Sequence, residues 1–144
     1  MNTSEFNIQA LSKALTTLQE SWTAYKNNQN EKPISDIIAD SCVKRFEYTM
    51  ETALKLMRRY LKLEYAKDDK ELTVNNIFRF MAGYEMIKNW ENWKEYYAKR
   101  NDTSHEYNIE KARNLLPIIP QFIQDIDYLL NSFTQAINKS ENND

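Results

Sequence analysis

The chain has 144 residues, a net charge of −2, and only one glycine, three prolines, one cysteine and one histidine. Scarce glycine excludes the P-loop and the dinucleotide-binding fingerprint. It also argues against an all-β fold, whose tight turns need residues that accept positive φ. Cys42 alone permits no internal disulfide and no cysteine zinc site. His105 alone cannot supply the paired histidine motifs of a di-metal helical bundle, so neither metal nor cofactor is expected.

Along the chain the hydrophobic period is helical. Ile8, Leu11, Leu15, Leu18, Trp22 and Tyr25 recur at spacings of three and four, which predicts a first helix, with Thr3 or Ser4 as its cap. The polar stretch Lys26 to Lys32 then connects it to a second helix opened by Pro33, where a missing N–H costs nothing. The second stripe runs Ile34, Ile38, Cys42, Phe46, Met50, Ala53, Met57 and Leu61. If continuous to Tyr65, this helix is ~48 Å long at 1.5 Å per residue.

Lys67 to Glu71 forms the next polar break, and Thr73 caps a third helix carrying Ile77, Phe80, Met81 and Tyr84. Gly83 predicts an interruption inside it; beyond that point Met86, Ile87, Trp90, Trp93 and Tyr97 resume the period. Arg100 to Tyr107 has no apolar periodicity and reads as a helix end plus turn. Asn108 can cap the last helix, whose stripe is Leu115, Ile119, Phe122, Ile126, Leu129, Phe133 and Ile137. Pro117 and Pro120 near its beginning predict a kink or a late start. Residues 138–144 form a polar tail expected to fray.

The expected architecture is therefore all-α: one domain over 1–144, an antiparallel four-helix bundle running up-down-up-down, with an interrupted third helix and a kinked last one. No run approaches the ~20 apolar residues that span a bilayer, and the start lacks a signal-peptide pattern, so a cytoplasmic protein is expected. The charge is uneven: Lys44 to Arg113 sums to +3, while the flanking parts sum to −2 and −3. An anionic partner is best sought in the middle of the chain.

Several groups could carry chemistry. Trp90, Trp93 and Tyr97 fit core packing, or a partly exposed aromatic surface for a nucleobase or a partner subunit, most simply a two-fold homodimer. Glu91 and Glu95 have the spacing of a metal pair but no accompanying histidine, and read as solvated surface. Glu47 and Glu51, beside Lys44, Arg45 and Lys55, read as an i,i+4 charge ladder. One segment mixes unlike reactive groups: Arg100-Asn101-Asp102-Thr103-Ser104-His105-Glu106-Tyr107. Histidine exchanges protons near neutral pH, and arginine offers a permanent charge on a fork that suits phosphate. Together they suit metal-free RNA cleavage, with Arg100 stabilising the charged phosphorane. A single His105 cannot readily serve as both acid and base, whereas a symmetric dimer would supply two.

The spacing Arg100, four residues, His105, one residue, Tyr107 resembles the signature of the HEPN superfamily of small helical bundles. Residues 5 to 137 as a whole resemble the nucleotidyltransferase substrate-binding proteins within it. The second-helix segment CVKRFEYTMETALKLMRRYL, with Arg45, Phe46, Glu47 and Thr49, fits that branch, as does RNDTSHEY. The resemblance implies a dimerising four-helix-type bundle, working as the substrate- or nucleotide-binding partner of a separate minimal nucleotidyltransferase encoded next door. In related toxin–antitoxin pairs the HEPN member is an RNase. Arg100 and His105 would then be the catalytic pair, and Tyr107 the tyrosine that receives AMP from the nucleotidyltransferase. Asn101 and Asp102 would bind substrate. Asp102-Thr103-Ser104 departs from those toxins, which carry apolar residues there.

Overall fold

The computed structural model describes residues 1–105 and 109–143, with the side chains of 104, 105 and 109 excepted. Its elements are α1 (Gln9–Asn27), α2 (Ile34–Tyr65), α3 (Val74–Gly83), α4 (Trp90–His105), α5 (Ile109–Leu115) and α6 (Ile119–Asn142), with short 3-10 turns at Thr3–Glu5, Asp69–Glu71 and Leu116–Ile118. Among the described residues there is no strand. The structure is an all-helical bundle built around α2, which packs against α1, α3, α4 and α5, while α1 also meets α6.

Local chemistry explains most boundaries and corrects some expectations. α1 begins later than expected, because Thr3 and Ser4 belong to a 3-10 turn capped by the Asn2 side chain. Asn7 Oδ1 instead accepts from the N–H of Gln9 at 2.8 Å, satisfying one of the unpaired donors at the helix start. α2 begins directly after Pro33 and runs unbroken for 32 residues. It ends with Ala66 in the left-handed region (φ 52°), where the N–H groups of Ala66 and Lys67 both donate to the carbonyl of Leu61 and so satisfy one of the unpaired acceptors at the helix end. Thr73 caps α3 by accepting from the N–H of Asn76.

Gly83 is the last residue of α3, but its φ is not positive. The turn is made two residues later by Glu85 (φ 60°), with the N–H of Met86 donating to the carbonyl of Met81 at 2.8 Å. Met86 and Ile87 therefore lie in the connection rather than in a resumed helix, although both side chains are buried. Asn89 then caps α4 through the N–H of Glu91. The polar segment after Arg100 is not a turn at its start: backbone helix continues through His105. Pro117 and Pro120 divide the last helical stretch into α5, a 3-10 turn and α6, as a missing donor and a ring clash require. Asn108, expected as a cap, lies outside the described residues. α6 carries helix through Asn142, into the stretch expected as a tail.

An aromatic cluster joins α2, α3, α4 and α6. Phe46 and Phe122 rings lie 4.5 Å apart, Tyr96 meets Phe122 edge-on at 4.9 Å, and Trp93 contacts Tyr96, Phe122 and Phe78. Trp93 is core, as its period implied, whereas Trp90 and Tyr97 are only half-buried. Tyr96 is fully buried and donates its hydroxyl to Asp125 of α6. Ile34, the first member of the second stripe, is exposed, as is Ile37 beside it.

Candidate functional site

The inward face of α4 is set by Trp93 and Tyr96, both buried. Arg100 and Thr103 fall in register with them, because positions three, four and seven apart share one side of a helix. Thr103 is buried and spends its hydroxyl on the carbonyls of Lys99 and Arg100. Arg100 is thereby carried toward α2 rather than into solvent, and its side chain is 25% exposed.

On α2, Glu51 follows the core residue Met50 and sits at the edge of the buried face. Its carboxylate, 44% exposed, forms an ion pair with the Nη2 of Arg100. The other terminal guanidinium nitrogen, Nη1, donates to Asn101 Oδ1 at 3.2 Å. Among the described residues, Nε of Arg100 and Oε1 of Glu47 are buried without a hydrogen-bond partner. Such groups carry a desolvation cost that a ligand or a neighbouring chain can relieve. The charge-ladder reading of Glu47 and Glu51 is thus corrected: Glu51 is committed to Arg100 across two helices. A small cavity of about 190 Å³ opens beside the pair, lined by Tyr97, Lys55, Arg58, Leu54 and the two partners themselves.

The structure therefore joins Arg100 to Asn101 and to Glu51, a residue whose spacing reads as one rung of a charge ladder. The available signal was positional: Glu47 and Glu51 directly follow the buried Phe46 and Met50, as Arg100 follows Trp93 and Tyr97 in register. Asp102 is exposed. Of His105 the structure describes the backbone, at the end of α4, and Tyr107 lies outside the described residues. Glu91 and Glu95 are both exposed on α4, in keeping with solvated surface. Among the described residues no helix is long and apolar enough to cross a membrane.

Comparison with known proteins gives this geometry a context. The family described as "Nucleotidyltransferase substrate binding protein like" matches residues 6–135. A Haemophilus influenzae protein described as a probable ribonuclease HepT is 25% identical over 141 residues, covering 94% of this chain and 97% of that one. A solved Haemophilus influenzae structure, described as revealing the fold of a substrate binding domain of a nucleotidyltransferase, superposes with a TM-score of 0.78 at 25% identity, over 87% of this chain and 97% of the other. A crystal structure from Thermus thermophilus shares the fold, with a TM-score of 0.69 at 22% identity, over 84% and 96% of the two chains.

Proposed function

Because the chain belongs to the nucleotidyltransferase substrate binding protein-like family, we propose that it is the accessory, substrate- or nucleotide-binding subunit of a two-protein, toxin–antitoxin-like system. Its partner is a separate minimal nucleotidyltransferase encoded by an adjacent gene. In this reading residues 1–144 are one cytoplasmic domain, an up-down-up-down bundle that acts as a homodimer and needs no cofactor. The observation that carries it is the Arg100–Glu51 cleft. A half-buried guanidinium, held by one carboxylate and bordered by Lys55 and Arg58, is a ready receptor for a phosphate-bearing ligand. Asn101 and Asp102 lie next to it in sequence and complete the binding segment. Stable co-purification with the neighbouring nucleotidyltransferase is expected; repeated failure of the two to associate at micromolar concentration overturns the pairing.

A second reading, metal-independent RNase activity, is favoured by the relative described as a probable ribonuclease. Here Arg100 stabilises charge on the phosphorane while His105 removes the 2′-hydroxyl proton or returns one to the leaving oxygen. Positions 100 and 105 are five apart on α4 and so lie about 140° apart around its axis. A second copy of the chain is the simplest source of a histidine that faces the first copy's arginine. Neutralisation would follow from AMP transfer to the Tyr107 hydroxyl, with pyrophosphate leaving ATP. Cleavage of RNA in EDTA, abolished by His105→Ala, is the expected result. Cleavage unchanged by that variant marks a contaminating nuclease. An added AMP mass on Tyr107 after incubation with partner and ATP supports the toxin–antitoxin version; its absence with an active partner removes Tyr107 from the site.

A further inference from the structure

A second groove lies apart from the Arg100 cleft. It runs between α1 and the middle of α2, encloses about 800 Å³, and is lined by Lys13, Lys44, Arg45, Tyr48, Asn7 and Gln9 among others, with no carboxylate in its walls. Lys13 comes from α1 and the other two cations from α2, so positive charge faces the groove from both sides. Arg45 is held in place by donating its Nε to Ser41 Oγ at 3.2 Å. Tyr48 is 56% exposed, which leaves its ring accessible beside these cations.

The same face of α2 continues the charge. Between Lys44 and Lys62 the helix carries six Lys/Arg and two Glu. Of the two, Glu51 is paired with Arg100 and Glu47 keeps one oxygen out of solvent, while among the cations Lys62 is paired with Asp69 at 2.9 Å. Lys44 to Lys55 is eleven positions, or about 17 Å of helix, enough for a few nucleotides of extended strand. Exposed cations that track a backbone, with an aromatic ring among them on which a base can lie, are the two elements of single-strand recognition. A duplex or an acidic protein would use the charge and leave the ring without a role.

We propose that the α1–α2 groove, with Lys13, Lys44 and Arg45 as phosphate contacts and Tyr48 as the stacking platform, is a docking site for single-stranded polynucleotide that leads along α2 toward Arg100. Binding in the groove stands apart from the pairing and the cleavage described above, and only its direction toward Arg100 rests on the function proposed for that residue. The test uses the purified full chain and a labelled twelve-residue oligothymidylate, which lacks the 2′-hydroxyl and so reads binding without cleavage. Fluorescence anisotropy is expected to show saturable binding, with log K falling against log salt at a slope of roughly −2 to −3 for three to four phosphate contacts. Lys44→Gln/Arg45→Gln together should weaken it at least tenfold. Tyr48→Ala should weaken it about five- to a hundredfold, with little change in the salt slope. These side chains are exposed, and far-UV melting curves establish that the variants remain folded.

Four results overturn the proposal. One is absence of binding at 50 mM salt. Another is an equal loss on Lys88→Gln, a cation on the α3–α4 connection, which would reduce the effect to bulk charge. Competition by thymidine monophosphate as effective as unlabelled oligomer would make the groove a mononucleotide pocket. Normal oligomer binding by the Lys44/Arg45 variant, coupled to loss of nucleotidyltransferase association, would make it a protein-docking face.

Discussion

Arg100 and Glu51 meet at the boundary between core and solvent, where an ion pair is worth more than at the surface and costs less than when fully buried. Replacing Glu51 by Gln leaves a half-buried guanidinium without its carboxylate. The expected cost is about 1 kcal/mol in urea denaturation, with a coupling of similar size in the double cycle with Arg100→Gln. Additive single effects would show that the pair contributes nothing. Deeper in the molecule, burial raises the Tyr96 phenol well above its ordinary value, and the hydrogen bond and charge of Asp125 raise it further. Burial likewise raises Tyr60, and pushes the Cys42 thiol up to about 11. Each group keeps its proton in the folded chain at a pH where the unfolded chain has lost it. The unfolded state then binds fewer protons, so stability is intact below about pH 8.5 and falls as pH rises through the unfolded values of ~8.5 and ~10. A pH series of urea midpoints should show this fall, and it should be shallower in Tyr96→Phe. A flat profile to pH 11 would contradict the burial of all three groups. Tyr96 was hard to see in the sequence, since Trp93 and Tyr97 already satisfied the helical period around it.

Helix ends show which local signals the sequence displayed and which it concealed. Thr73, Pro33 and the Pro117/Pro120 pair act where their chemistry is strongest, and each was legible. The break after α3 was legible for the wrong reason: Gly83 keeps an ordinary helical conformation, and Glu85 takes the left-handed one. Its side chain gives no sign of this, since positive φ is a property of the turn that Met81 and Met86 close. The polar segment after Arg100 hid its helix because Arg100 and Thr103 occupy inward positions normally filled by apolar residues. A β-carbon in the left-handed region costs roughly 1–2 kcal/mol, so Ala66→Gly and Glu85→Gly should each raise stability by about 1 kcal/mol after glycine's own entropy is counted. Gly83→Ala should gain roughly 0.5–1 kcal/mol, because a β-carbon there meets nothing within 4 Å. Thermal melting checks all three. Destabilisation by Gly83→Ala would return the turn to the glycine.

At the scale of the whole molecule, the all-helical class and the length of the second helix followed from spacing alone. The pairing of faces did not, because periodicity says that a stripe is buried and not what buries it. Phe46 meets Phe122, and Glu51 meets Arg100, through choices that only the bundle makes. Phe46→Ala should therefore cost roughly 2–5 kcal/mol, and an unchanged urea midpoint would place Phe46 outside the core.

The centrality of α2 has a consequence for how the chain is made. Its ring at position 46 emerges from the ribosome long before Phe122 exists to cover it, and α1 can shield only one side in the meantime. The exposed remainder is an apolar strip on a helix already able to form. During synthesis the nascent protein should therefore be held by chaperones until α6 is released, and stalled chains ending before position 119 should be captured more strongly than full-length ones.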